Sequence, residues 1–456
     1  MKLLNDLKLQ FEKELWGLSP ELTVIDTILN QHPEIYKLVQ EDITKGKESS
    51  GLGRQDMPTV EQIVRAAIYK EMKNLTYREL EYAQHDSRIC AIFIKLDERK
   101  PFSFKMYQKY ISRISGGSLN KVLVAISTIA IDEGLEDGKS IRTDGTVVET
   151  NIHYPTNNAL IWDCIRTIDR LLKKLKDSGV DITFRNYKKQ AKKTYYKINN
   201  SQGGKGKEKR REEFKKQLKL FRSSINQAER ALTVSLPSTL EGWVEAQAAI
   251  KELKELLPKA EKVYDISRRH ELLGESVPNE EKIFSIFEDH TDIIVKGRRE
   301  VEFGHKVNLA GGKSNLILDC VIVDGNQADS TLYADVIERI ERNYGMIPRD
   351  IVTDGGYASK ENARIAQGKG IINIVFNKIK GSLQNIVKSK NMETRLKKWR
   401  SGMEGVISNL KRGYELFRCE WKTKARFDAK VYWNVIAYNI RVMTGALLGK
   451  MQAQTQ

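Results

Sequence analysis

Residues 140–149 read SIRTDGTVVE, a β-branched segment with an Asp-Gly pair at its centre. An Asp-Gly pair between strand-forming residues is a strong signal for a two-residue hairpin turn. Thr-Asp-Gly returns at 353–355, in DIVTDGGYAS, and a third Asp-Gly lies at 324–325, in CVIVDGNQ. These three aspartates are either turn residues or acids that a sheet presents for chemistry, since the strand ends of α/β sheets gather distant residues into ligand sites.

Asp144 and Asp354 are the better candidates for a site. Asp144 follows Ile141 in a strand-like segment, and Asp354 closes the strand segment that contains Ile351 and Val352. Each precedes a Gly, which lets the backbone turn away and leaves the carboxylate at the edge of the sheet. Asp324 also follows an apolar strand, but its Asp-Gly-Asn context favours a turn. We therefore expect Asp144 and Asp354 at neighbouring strand ends and Asp324 in a turn.

A third acid is available in the helical C-terminal region, in RSGMEGVISNLK. Arg400, Glu404 and Lys411 lie at positions i, i+4 and i+11, near one helical face. Taken alone, this pattern is typical of a surface ion-pair ladder. Three carboxylates, however, are the hard oxygen ligands with which two Mg²⁺ ions promote attack on a phosphodiester.

Other common chemistries lack support in the sequence. The six histidines include no pair at zinc-ligand spacing, and the four cysteines include no Cys-x-x-Cys pair. No GxxxxGK[ST] loop supports an ATP-driven mechanism. Isolated cysteines, a poor N-terminal signal sequence and the lack of an apolar run near ~18 residues predict a cytoplasmic protein without a membrane span.

The order of elements predicts an α/β protein in which a helical insertion interrupts a mixed sheet. The first third reads helical, with capping-box patterns that begin at Thr59 and Thr76. Strand-like sequence begins near residue 139, gives way to helix-favouring sequence and resumes near residue 282. The predicted domains are an N-terminal helical domain (1–137), a strand-rich core (138–157 and 281–456) and a helical insertion (158–280).

The positive charge of the chain is concentrated in the insertion. The chain has 77 Lys/Arg and 60 Asp/Glu, and residues 170–222 alone hold 19 Lys/Arg against 5 Asp/Glu. This concentration favours a polyanionic partner over a merely solvated surface. The aromatic residues interleaved with these lysines either contact nucleic acid or form the buried side of basic helices. The candidate DNA-binding residues are Lys188, Lys189, Lys192 and Lys193.

Four segments together resemble bacterial insertion-sequence transposases of the DDE type, closest to the ISNCY group. They are IRTDGTVVETNIHYPT, EDHTDIIVKGRREVEFGHKV, IVTDGGY and the stretch from RSGMEGVISNLKRGYE to WNVIAYNI, and the resemblance covers residues 55 to 447. It implies a ribonuclease H-like core in which Asp144, Asp354 and Glu404 are the catalytic, metal-binding acids. Arg400, Glu404 and Lys411 also fit the Tyr-x2-Arg-x3-Glu-x6-Lys signature of related families, although Lys397 stands at the Tyr position.

The resemblance implies cleavage of double-stranded DNA at transposon ends, followed by attack of the freed 3′-OH on target DNA. It implies two Mg²⁺ ions, for which Mn²⁺ can substitute, and a homodimer or higher oligomer at the bacterial nucleoid. The N-terminal helices and the insertion would hold the inverted repeats, and Arg400 and Lys411 would contact DNA. Two alternatives remain open: a structure-selective ribonuclease H-like nuclease without strand transfer, and an inactive DNA-binding protein.

Overall fold

The computed structural model describes residues 17–45, 57–96, 100–201, 206–296, 300–379 and 382–454. The chain forms two compact units: Met1–Asn151 with Ile294–Gln456, and Ile152–Ile293. Among the described residues, no single helix is long and apolar enough to cross a membrane; one helix pair reaches that length and composition only together, and it is bent by 86°.

The first unit is built on a mixed sheet. Its strands are β1 (Ser140–Thr150), β2 (Asp292–Lys296), β3 (Glu300–Gly311), β4 (Ile317–Val323), β5 (Asp350–Asp354), β6 (Asn373–Asn377) and β7 (Arg418–Cys419). The described strands lie in the order β2-β3-β1-β5-β6, with β4 paired to β3 and β7 paired to β1. β1 is antiparallel to β3 and parallel to β5. This arrangement confirms the predicted mixed α/β fold.

The first Asp-Gly pair does not end its strand, and this part of the sequence-based expectation is wrong. β1 continues past Gly145 and stays paired with β3 from Arg142↔Gly311 to Glu149↔Gly304. The ladder with β3 overrides the local turn signal, so Asp144 lies in the interior of an 11-residue strand.

The other two Asp-Gly pairs lie as expected. Asp354 is the last residue of β5, and Asp324 lies in an exposed bend after β4. Gly355 is needed for a close approach rather than for a left-handed backbone, because a Cβ there would collide with the carbonyl oxygens of Asn377 and Lys378.

Helices cover the sheet of the first unit. Before β1 lie α1 (Pro20–Gln31), α2 (Glu34–Thr44), α3 (Val60–Met72), α4 (Tyr77–Asp86), α5 (Arg88–Phe93), α6 (Phe104–Ile111) and α7 (Gly116–Asp132). Both expected capping boxes are present, at Thr59 and Thr76.

The second unit, Ile152–Ile293, contains the helical insertion and has its own apolar core. Its helices are α8 (Asn157–Asp177), α9 (Lys188–Asn199), α10 (Lys207–Ala231) and α11 (Leu240–Arg268). Phe184 and Tyr187 pack against this core, which confirms the buried role for these two aromatic residues, whereas Tyr196 is 53% exposed and its contact with nucleic acid stays a prediction.

Five further helices complete the first unit: α12 (Asp329–Tyr344), α13 (Lys360–Gly368), α14 (Lys390–Arg400), α15 (Gly402–Gly413) and α16 (Lys424–Gln454). α16 packs against α1, α3, α7 and β4, with Trp433 fully buried. The N-terminal helices therefore share one core with the sheet, and no division between compact units falls at the predicted boundary after residue 137. The DNA-end-binding role of these helices stays a prediction.

Candidate active site

The parallel pairing of β1 and β5 brings the first two acids to the same level of the sheet. The pairs run from Ser140↔Asp350 to Arg142↔Val352. Asp144 and Asp354 each lie two residues beyond the last pair, so their side chains leave adjacent strands at equivalent positions.

Arg400 joins the three acids. Its guanidinium donates to Asp144 Oδ2 at 2.7 Å and to Glu404 Oε1 at 2.9 Å, and it lies 3.6 Å from Asp354 Oδ2. The Arg400 side chain is 5% exposed, whereas those of Asp144, Asp354 and Glu404 are 17%, 46% and 62% exposed. One buried cation therefore lies at the point where three carboxylates, 260 residues apart at the extremes, converge.

Arg400 and Glu404 do not share one continuous helix, contrary to the sequence-based expectation. Arg400 is the last residue of α14, and Glu404 lies in the first turn of α15. The chain passes close to Arg142 at this break, and glycine is required there because a Cβ at Gly402 would collide with the Arg142 guanidinium. Arg142 donates to the carbonyl oxygen of Trp399 at 2.6 Å, and its guanidinium lies 4.8 Å from the centre of the Trp399 ring.

Arg142 therefore ties the end of α14 to β1 and positions Arg400 beside Asp144. Sequence reasoning overlooked this arginine, although it stands in the same RTDG stretch as Asp144. The available signal was its charge at an interior strand position, where an arginine needs a specific partner.

The electrostatics of the cluster raise the pKa of Asp144 to about 6. Burial is the largest cause, because it disfavours the charged carboxylate, and the negative charges of Asp354 and Glu404 add to it. Arg400 and the backbone N–H of Gly145 act in the opposite direction. A carboxyl with such a pKa, beside other acids and near solvent, is typical of a functional site.

One comparison with known proteins, against protein families, bears on this site. Residues 293–440 match the family model of a transposase DDE domain. The match supports a transposase, a nucleic-acid-processing enzyme whose substrate is DNA. The matched range contains Asp354, Arg400 and Glu404, and Asp144 joins them through the sheet. No curated protein and no solved structure gives a significant match.

Transposase DDE domains generally use divalent metal ions, and the donor set fits such ions in chemical type. Asp144, Asp354 and Glu404 offer only carboxylate oxygens, which Mg²⁺ and Mn²⁺ prefer. In the described part of the chain, however, no group of three or more His, Cys, Asp or Glu side chains is arranged to hold a metal ion. Arg400 supplies the positive charge among the acids instead.

A second polar cluster borders Asp144. Lys306 of β3 forms an ion pair with Asp329 and donates to the carbonyl oxygen of Gln327 at 2.9 Å. A Cβ on Gly145 would contact Lys306, Asp329 and the hydroxyl of Tyr357. The sequence does not connect these residues, because β3, α12 and the turn after β5 meet only in the folded sheet.

The remaining predicted DNA-binding residues lie outside this cluster. Lys411 is in the last turn of α15, with its ammonium 6.0 Å from the centre of the Phe417 ring. In the insertion, α9 exposes all four of its predicted DNA-binding lysines: Lys188, Lys189, Lys192 and Lys193.

Proposed function

We propose that the chain is a bacterial insertion-sequence DDE transposase of the ISNCY-like group, with a ribonuclease H-like core. It cleaves DNA at transposon ends in a reaction that needs Mg²⁺ and then joins the freed 3′-OH to target DNA. The observation that carries the proposal is the convergence of Asp144, Asp354 and Glu404 on one guanidinium, in a chain that matches a transposase DDE domain.

In this proposal the three acids hold the divalent ions, two Mg²⁺ with Mn²⁺ as a substitute. Such ions lower the pKa of an attacking water or hydroxyl and stabilise the leaving oxygen of a phosphodiester. Asp144 and Asp354 are held by adjacent strands, and Glu404 is held by the first turn of a helix. The two adjacent strands therefore fix the backbone positions of Asp144 and Asp354 before DNA arrives.

The cations have separate tasks. Arg400 neutralises the acids in the free protein, where its guanidinium donates to Asp144 and Glu404, and it would offer a phosphate oxygen a hydrogen-bond donor beside the metal-binding acids. Lys411 and the exposed lysines of α9 contact phosphates, which gives affinity that falls with salt. We further propose that the protein acts at the bacterial nucleoid as a homodimer or higher oligomer, because joining requires both transposon ends to be held together.

The test is incubation of purified protein with DNA that carries the inverted repeats flanking its gene, with Mg²⁺ or Mn²⁺. We expect cleaved and joined products with the wild-type protein and none with Asp354→Ala, which still binds DNA. Asp324→Ala is the matched control, since Asp324 also precedes a glycine but lies in an exposed bend.

Joining by Asp354→Ala at the wild-type rate would defeat the assignment of the acids. Cleavage without joining by the wild-type protein would favour the structure-selective nuclease instead. DNA binding with no cleavage in either metal would favour an inactive DNA-binding protein.

A further inference from the structure

A basic groove lies in the first unit, apart from the three acids. It has a volume of about 950 Å³ and is bordered by the turn between α3 and α4, by α6, and by the segment from the end of α15 to the start of α16. Eight Lys or Arg side chains and two Glu side chains line it. This excess of cations makes the groove attractive to a polyanion.

The floor of the groove holds more positive than negative buried charge. Lys70 and Lys430 donate to the two oxygens of one carboxylate, Glu71, at 2.9 Å and 2.5 Å. These three side chains are at most 7% exposed. Glu415 lies 3.8 Å from Lys430 Nζ, but its side chain is 57% exposed and compensates weakly. Buried charge is costly unless it is balanced, so an anion in the groove would stabilise this floor.

The open part of the groove is cationic as well. Four of its exposed cations form no ion pair with an acidic side chain of the described residues; they are Lys105, Lys109, Lys422 and Arg426. Aromatic rings lie among them: Phe417 is 53% exposed, and Trp421 stacks on Tyr77 with ring centres 5.9 Å apart. Cations interleaved with exposed rings are typical of surfaces that bind nucleic acid.

Two elements connect this groove to the acids. α15 carries Glu404 in its first turn and Lys411 in its last, seven residues or about 10 Å further along the helix. Arg418 of β7 pairs with Glu149 of β1, the strand that holds Asp144. If duplex DNA ran along α15 from the acids to the groove, one of its strands would have about three phosphates within this distance.

We propose that the groove binds the sugar-phosphate backbone of the DNA duplex whose scissile phosphate lies at the three acids. This inference rests on the proposed function. It assigns a DNA contact to the N-terminal helices and to the start of α16, in addition to the lysines of α9. The buried pair of lysines and the open rim of cations carry it.

The experiment compares two variants of the full chain that each lose three lysines and one arginine. The groove variant combines Lys105→Gln, Lys109→Gln, Lys422→Gln and Arg426→Gln. The control variant combines Lys121→Gln, Lys139→Gln, Lys388→Gln and Arg342→Gln, which are exposed on the same unit and do not line the groove. Affinity for a linear DNA duplex is measured across a range of salt concentrations, and thermal unfolding confirms that both variants are folded.

We expect the slope of log K against log salt to become shallower by about 2 to 3.6 in the groove variant, which corresponds to the loss of two to four phosphate contacts at about 0.9 each. We expect the control variant to keep the wild-type slope. Cleavage in Mg²⁺ should fall in the groove variant in parallel with binding, since its acids are intact.

Three outcomes overturn the inference. Equal slopes of log K against log salt in the two variants would show that DNA does not enter the groove. The proposed function would still stand in that case if the wild-type protein cleaves DNA. Thermal unfolding is also measured with inorganic phosphate. If phosphate stabilises the wild type but not the groove variant, while the salt dependence of DNA binding is unchanged, the groove is a site for small anions. A wild-type protein that neither binds nor cleaves DNA would defeat both the groove and the proposed function.

Discussion

Replacing Arg400 by Gln should lower the free energy of unfolding, and divalent metal ions should restore much of this loss. The ion pair with Asp144 is the main loss, because the partners are 2.7 Å apart and 5% and 17% exposed. Breaking such a pair costs about 3 kcal/mol. The contacts with Asp354 and Glu404 add no more than about 1 kcal/mol, since these carboxylates are 46% and 62% exposed.

The loss depends on pH in a defined direction. Arg400 stabilises only the charged form of Asp144, whose pKa is about 6. The effect of Arg400→Gln should therefore be largest above pH 6 and shrink below it, where Asp144 is protonated with or without the arginine. Added Mg²⁺ should restore about 2.7 kcal/mol when its concentration is 100 times its dissociation constant.

Urea unfolding in EDTA and in Mg²⁺ measures both effects. Lys397→Gln is the matched control: Lys397 also lies in the last turn of α14 and pairs with Glu393 at 2.6 Å, but at a more exposed site. It should cost no more than about 1 kcal/mol and gain nothing extra from Mg²⁺. The reasoning is refuted if Arg400→Gln is as stable as wild type in EDTA at pH 8, or if Mg²⁺ stabilises the two proteins equally.

Three further predictions concern other charged groups. Glu71→Gln should lower the free energy of unfolding by about 3 kcal/mol or more, because two buried lysines lose their shared carboxylate; an equal effect from exposed Glu420→Gln would contradict this. Apparent Mn²⁺ affinity, measured by calorimetry, should rise up to about tenfold per pH unit below pH 6 and level off above it, because Asp144 must lose its proton to bind metal; a flat profile would count against Asp144 as a ligand. Neutralising the four exposed lysines of α9 should weaken DNA binding and flatten its salt dependence in filter-binding assays, and an unchanged slope would remove α9 from the interface.

The proximity of Asp144 and Asp354 was predictable, because Thr-Asp-Gly recurs after two strand-like segments and indicates two similar places in one sheet. The course of the chain after Asp144 was not. The two-residue turn signal is local, whereas the ladder with β3 joins residues more than 150 positions away and continues through Gly145. Long-range pairing of this kind overrides the local turn preference, and the sequence of the segment itself does not reveal it.

The helix around Glu404 shows a similar limit. The spacing from Arg400 to Glu404 correctly placed the two side chains together, but it could not reveal that one helix ends at Arg400 and another begins at Gly402, beside Arg142. The basic groove left no signal at all, because it is assembled from residues 70–112 and 411–430. The lysines of α9 are adjacent in the sequence and therefore predictable as a basic surface. The cations of the groove come from distant segments and lie together only in the folded unit.

The central claim is that Asp144, Asp354 and Glu404 act as one metal-dependent site. The most direct measurement is the single-turnover rate of DNA cleavage in Mg²⁺ by Asp144→Asn, by Glu404→Gln and by the double variant, with DNA binding measured in parallel. Residues that act as a unit are not additive, so each single variant should fall to background and the double variant no further. A Glu404→Gln protein that cleaves at the wild-type rate would contradict the account.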